Sequence, residues 1–244
     1  MKVFLCGKGR AAEDIVVRLV HGGVQVAVWS HPGAELLALA ERAGVWRSYQ
    51  SVNDADWPFR PDLLVSVGYL HLLSERTLRA LGDKTINCHY ALLPRHRGRS
   101  PVPWAIFDGD ERTGVTWHWI DRGIDTGRVL LQVPVTIRAN DTQASLFVRL
   151  HALAAVSFDT ALDMATAGEP GHEQHGRSSY HRHGPPCGGV IDPGWPDDKV
   201  ERFIRAMTYP PLPYARLNGV EVKTMDEYGR LRGRRSSTTG GGHG

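Results

Sequence analysis

Lys2-Val3-Phe4-Leu5-Cys6-Gly7-Lys8-Gly9-Arg10-Ala11-Ala12 is a strand-to-helix unit written out in full. An apolar run short enough for a buried strand meets a Gly-Lys-Gly turn, and beyond it Ile15, Val16 and Leu19 recur at helical spacing. The alternation continues outward. Residues 24–29 read as a second strand and 34–43 as a second helix. Asp62-Leu63-Leu64-Val65-Ser66-Val67 is a third strand, Ser74 is placed to cap a helix running to Leu81, and 84–89 is a fourth strand. Strands separated by helices pair in parallel, so the expected class is α/β, a Rossmann-like open and mostly parallel sheet. Ligands of such sheets bind beyond the carboxyl ends of the strands, where Gly7, Gly68 and His89 fall.

The second half follows another rhythm. Residues 114–120 and 128–137 read as strands joined by a glycine-bounded turn. A long helix is expected from Asn140-Asp141 to about Ala165, burying Leu146, Leu150, Leu153, Val156 and Leu162. Residues 168–189, rich in Gly, His, Ser and Pro, read as a linker. A small C-terminal extension follows: a helix over 196–207 opened by Asp197 and Asp198, then a hairpin turned by Asn218-Gly219. From Gly229 the Arg/Gly/Ser/Thr-rich tail is expected to be disordered. The expected organisation is therefore a main domain over 1–167, a linker over 168–189, an extension over 190–228 and a tail over 229–244.

Bulk composition narrows the class of partner. The chain has 244 residues, 41% apolar and 23% charged, with a formal net charge of +3. That lean is compatible with a small anionic substrate and too slight to argue for nucleic acid. The apolar run after Met1 is too short for a signal peptide, and no stretch reads as a membrane span. Cys6, Cys88 and Cys187 lack metal-ligand spacing and cannot all pair, so buried thiols in the cytoplasm are expected. His172, His175, His181 and His183 crowd the linker without supporting carboxylates or thiolates, and no metal site is expected.

The chemistry concentrates between residues 87 and 127. Asn87 and His89 are two apart in a strand, so an amide and an imidazole leave the same face while Ile86 and Cys88 point into the core. Asp125 stands on a turn between Gly123 and Gly127. Acyl transfer to an amine needs a donor for the oxygen that gains negative charge and a group to move a proton near neutral pH. Spacing alone is equally compatible with an Asn/His turn and a solvated aspartate.

Asn87-Cys88-His89, then Leu92-Leu93-Pro94 leading to Arg97-Gly98-Arg99, then Asp125-Thr126-Gly127, taken in this order, resembles the core of the folate-dependent formyltransferases. The resemblance runs over roughly residues 1–225 and implies 10-formyltetrahydrofolate as donor. It implies Asn87 as holder of the oxyanion, His89 as proton donor and shuttle, and Asp125 as the carboxylate that raises the pKa of His89. It further implies that folate lies against His71, Leu72 and Leu73, against Arg99, and against the turn Asp121, Arg122, Gly123, Ile124 and Asp125. A main domain with a short extension is most similar to the sugar-nucleotide N-formyltransferases, so the expected acceptor is a primary amine on a nucleotide-linked sugar. Small molecules and a second copy in a homodimer are the expected partners; nucleic acid and membrane are not.

Tyr90-Ala91 departs from the family pattern of a small residue followed by Ser, so Tyr90 is a candidate substrate contact. Gly7-Lys8-Gly9-Arg10-Ala11-Ala12 loosely matches a dinucleotide turn, but Ser30-His31 stands where an acidic residue would hold a ribose. Lys8 and Arg10 at that helix start are candidates for an acceptor phosphate, beside the plainer reading of a packing turn. Tyr209, next to Pro210 and Pro211, could line the acceptor or brace the hairpin. A formyltetrahydrofolate deformylase, with water as acceptor, and a non-catalytic folate or nucleotide-binding module are the alternatives.

Overall fold

The computed structural model describes residues 1–82 and 84–233. Its centre is a seven-stranded sheet built from β1 (Lys2–Gly7), β2 (Gln25–Trp29), β3 (Trp46–Ser48), β4 (Leu63–Val67), β5 (Thr85–His89), β7 (Arg112–Trp119) and β8 (Val129–Thr136). The spatial order is β3-β2-β1-β4-β5-β7-β8. The first five strands are parallel, and β7 runs antiparallel to β5, so the sheet is mixed but mostly parallel, the expected class. The helices α1 (Arg10–His21), α2 (Glu35–Arg42) and α3 (Glu75–Leu81) connect the parallel strands. Every residue of β4 is buried, as a strand covered on both faces requires.

One face of the sheet packs Phe4, Cys6, Ala27, Trp29 and Leu64 against Val52, Trp57, Phe59 and Tyr69. Phe4 and Trp29 meet at 4.4 Å between ring centres. Elsewhere Ala11, Ala12, Ile15, Val16 and Leu19 of α1 are buried, and α5 (Gln143–Thr166) docks on β7 through Trp117 and Phe158, with Trp117 Nε1 donating to Ser157 Oγ at 2.9 Å. The chain order reverses beside β1: β2 lies on one side and β4 on the other. At that reversal a Cβ on Gly7 would sit 2.3 Å from the Val67 carbonyl oxygen, so only glycine lets the two strands end this close.

Packing divides the described chain into two compact units: residues 1–97, 114–134 and 150–179, and residues 98–113, 135–149 and 180–233. This division does not coincide with the expected boundaries at 167/168 and 189/190. In the second unit α4 (Pro101–Phe107) packs with α6 (Asp197–Ala206) through Phe107 and Phe203, 5.4 Å apart. The strands β10 (Ala215–Leu217) and β11 (Val220–Val222) form the expected hairpin, with Asn218 and Gly219 at φ 53° and 84°.

Several expectations are corrected. Residues 229–233 close a helix, α7 (Met225–Gly233), rather than opening a disordered tail; residues 234–244 lie outside the described residues. Leu146 and Leu150 of α5 are buried as expected, but Val156 is 64% exposed and Leu153 and Leu162 are only half-buried, while Ala154, Phe158, Ala161 and Ala165 complete the buried stripe. This helix is also long and apolar enough to cross a membrane by length and composition, which the sequence reading did not allow. Of that apolar window 39% is buried inside the protein. The strand β3, the helix α4 and the two-residue strands β6 (Arg97–Gly98) and β9 (Tyr180–His181) were not foreseen.

Candidate active site

β5 ends the parallel series with Asn87 and His89 on one face, beside the carboxyl edge of β4. Its antiparallel neighbour β7 places His118 opposite Asn87 and Thr116 opposite His89. After β7 the chain turns through Asp121–Gly127 and brings Asp125 back to the same place. Asp121 Oδ1 accepts from Gly123 N at 2.9 Å and Thr126 Oγ1 at 2.6 Å, tying the turn into a tight loop. A Cβ on Gly127 would lie 1.8 Å from the Trp119 carbonyl oxygen, and Asp125 itself takes φ 54°. A left-handed aspartate costs backbone energy, and here its position is set from both sides of the loop.

The sequence-read set therefore converges from two distant segments. His89 Nδ1 lies 3.5 Å from Asp125 Oδ2, and Asp125 Oδ1 lies 3.6 Å from His118 Nε2. Both separations are long for hydrogen bonds, and each becomes a charge interaction only while its imidazole is protonated; the Asp125 side chain is 13% exposed. His89 Nε2–H donates to the His96 carbonyl at 2.8 Å, leaving Nδ1 as the atom that faces the carboxylate. His118 Nδ1–H donates to the Trp119 carbonyl at 2.8 Å, so its Nε2 lone pair accepts from Asn87 Nδ2 at 3.1 Å. That bond occupies one amide proton of Asn87 and aims the other elsewhere in the site. His118 thus orients the amide, a role the sequence did not reveal.

Burial sets the titration of His89. Desolvation pushes its pKa below the ordinary histidine value. Asp125 and the His96 carbonyl pull it back up, while His118 and His96 press it further down. Asp125 does act upward as expected, but burial outweighs it. The thiols of Cys6 and Cys88 are buried and pushed up, which keeps them protonated and inert.

The loop after β5 is held by its neighbours. Thr116 Oγ1 donates to the Ala91 carbonyl and accepts from Leu93 N, and Gln132 Nε2 donates to the Leu93 carbonyl. Residues 172–179, expected as part of a linker, are instead fastened to the first unit. His172 bridges Val129 in antiparallel fashion, and Ser179 Oγ accepts from His96 N at 2.8 Å. Gln174 Nε2 donates to the carbonyls of Asp125 and Gly127.

The other expected residues are placed variously. His71 and Leu72 are exposed on the loop after β4, Leu72 by 70%, while Leu73 packs partly on the Phe4–Trp29 cluster. Asn53 fixes this loop by donating to the Leu72 carbonyl and accepting from Ser74 N. Arg122 approaches Glu75 at 3.9 Å, and Ile124 is half-buried in the turn. Lys8, His31 and His71 line a shallow pocket with Gly7 and Gly68 at the chain reversal. Arg10 pairs with Asp14 at 3.3 Å on the surface. Tyr90 is buried, and its ring stacks on His151 at 5.3 Å rather than facing out. Arg99 and Tyr209 belong to the second unit, where Arg99 N donates to the His181 carbonyl and the Tyr209 ring meets Phe147 at 5.3 Å.

Known proteins share this chain's sequence and fold. The family model described as formyl transferase matches residues 3–162. GDP-perosamine N-formyltransferase of Brucella melitensis biotype 1 is 34% identical over 226 residues, covering 88% of this chain and 87% of that one. Methionyl-tRNA formyltransferase of Anaeromyxobacter sp. (strain K) is 34% identical over 168 residues, covering 68% of this chain and 54% of that one. Among solved structures, the N-formyltransferase of Helicobacter canadensis, in complex with folinic acid and dTDP-3-aminofucose, shares the fold with a TM-score of 0.76 at 20% identity, over 91% of this chain and 86% of that one.

Proposed function

We propose, from the premise that this chain belongs to the formyl transferase family, that it moves a formyl group from 10-formyltetrahydrofolate to a primary amine of a nucleotide-linked amino sugar. One observation carries the reading: Asn87, His89 and Asp125 meet beyond the carboxyl edge of the sheet. The acceptor class is supported by relative coverage. The GDP-perosamine enzyme matches over nearly its whole length, whereas the methionyl-tRNA enzyme matches over 54% of its own.

The donor, when bound, supplies an activated formyl carbon on a nitrogen able to leave. The surroundings suit it: Leu72 offers an exposed apolar surface, and Asp121, Arg122 and Gly123 of the turn are exposed. Asn87, held by His118, directs its remaining N–H at the oxygen that gains charge as the amine adds. Neutral His89 takes the amine proton on Nδ1 and returns it to the departing nitrogen, while Asp125 stabilises the imidazolium in between. Balance is complete: one C–N bond forms, one breaks, and one proton crosses. His71, Leu72 and the turn from Asp121 through Asp125 hold the donor. Lys8 takes the acceptor's phosphate, and the enzyme works in the cytoplasm, where Cys6 and Cys88 remain free thiols.

The test is donor consumption measured with and without a panel of nucleotide amino sugars. Loss of donor coupled to a formylated sugar supports the reading. Equal consumption without any amine would make the protein a hydrolase, and no consumption would make it a binding module.

A further inference from the structure

One side chain touches both loops that flank His89. Gln174 Nε2 donates to the Asp125 carbonyl at 2.9 Å and the Gly127 carbonyl at 2.8 Å. Its Oε1 accepts from Arg97 Nε at 3.1 Å and Arg97 Nη2 at 2.6 Å. Arg97 follows His96, whose carbonyl accepts from His89 Nε2, and Asp125 carries the carboxylate that faces His89 Nδ1. Both hydrogen-bonding ends of this one amide are filled, and each end leads to a different nitrogen of the same imidazole. We propose that Gln174 is a positioning residue for the formyl transfer, locking the Asp125 turn and the His96–Arg97 loop at a fixed span around His89.

The inference rests on the assignment of His89 and Asp125 to catalysis. Asp125 sits at φ 54°, a conformation that its own loop must hold against relaxation, and two carbonyls of that loop are anchored on Gln174. Releasing them lets the carboxylate drift from Nδ1. A shift of about 1 Å in such a group lowers rate by about 100-fold. The titratable groups facing His89 are Asp125 from the turn after β7, His118 from β7 and His96 from the loop after β5. Only the first of these charges supports the imidazolium, so its retreat moves the His89 titration to lower pH.

Two substitutions separate the halves of the clamp. Gln174→Glu keeps the size and the Arg97 partner but sets a carboxylate against two carbonyls, and Gln174→Met keeps the size and loses all four bonds. Both are expected to lower kcat by about 10- to 100-fold with KM for the donor little changed, and in the uncharged Met variant NMR should find the His89 titration displaced downward. In an Asp125→Asn background either change should add almost no further loss, because the residue acts through that carboxylate. Losses that multiply in the double variants, or an unmoved His89 titration in the Met variant, would overturn the proposal. If the Met variant does not fold, the near-isosteric Glu variant carries the kcat comparison and the double-variant test, its added charge setting the titration readout aside. A wild-type protein that forms no formyl product counts against the assigned reaction, whereas the His89 titration still tests the clamp.

Discussion

The proposed transfer needs His89 neutral at rest and charged for an instant, and the groups around the ring act in both directions. Burial opposes the charge, while Asp125 and the His96 carbonyl accept from the ring once both nitrogens carry protons. Because the net displacement is downward, the acid limb of kcat should lie below the ordinary histidine range. Asp125→Asn removes the main upward influence, so a pH–rate profile should show a slower enzyme whose acid limb has moved lower still; a limb moving upward would refute the sign. Asn87→Ala should cost about 100- to 1,000-fold in kcat through loss of an oxyanion donor, with an unchanged circular dichroism spectrum. A strand's period of two put Asn87 and His89 on one face, but only the resemblance to the formyltransferases joined Asp125 to them, since spacing alone also fits a turn and a solvated aspartate. His118 was not legible, since its meeting with Asn87 depends on the antiparallel register of β5 and β7. Gln174 lay in a stretch whose composition reads as linker, and its bonds run to segments far away in sequence.

At the scale of elements, patterning located the long strands and most helices, missed the two- and three-residue strands β3, β6 and β9, and misread part of how one helix packs. The expected stripe of α5 followed its large aliphatic residues, but the core accepts Ala154, Ala161 and Ala165 in a close approach and leaves Val156 outside. Small residues carry little hydrophobic signal, so sequence patterning underweights them. Urea melts should therefore find Val156→Asp within about 0.5 kcal/mol of the parent, whereas Phe158→Ala, fully buried against Trp117, should cost about 3–5 kcal/mol. The helix α4 escaped notice because Pro101 and Pro103 read as loop, yet a first helical turn needs no backbone N–H from them. Ser74 shows the opposite case, a cap read correctly from one residue: its Oγ accepts from Thr77 N at 3.1 Å. Ser74→Ala should remove about 1 kcal/mol of stability, and the loop bearing Leu72 should loosen with it.

For the whole molecule, the two packing units carry different acid sensitivities. In the first unit His89 and His151 are both held below their ordinary value of 6.5 by burial. A histidine so depressed binds its proton more readily in the unfolded chain, so its contribution is complete above 6.5 and is lost as pH falls toward the folded-state value. In the second unit Asp141 has the opposite linkage. Burial raises it, but bonds from Arg138 N, Ser145 Oγ and Arg149 prevail and hold it below 3.8. Its contribution is present above that value and disappears only as pH falls through the lower folded one. Acid should thus weaken the protein in two separable steps, the first entering as pH falls below 6.5 and the second as it falls below 3.8. Urea midpoints measured across pH resolve them: His89→Gln combined with His151→Gln should flatten the first step and spare the second, and Asp141→Asn should do the reverse. A double histidine variant as acid-sensitive as its parent near pH 5.5 would remove buried imidazoles as the cause, and would return the first step to groups distributed over the surface.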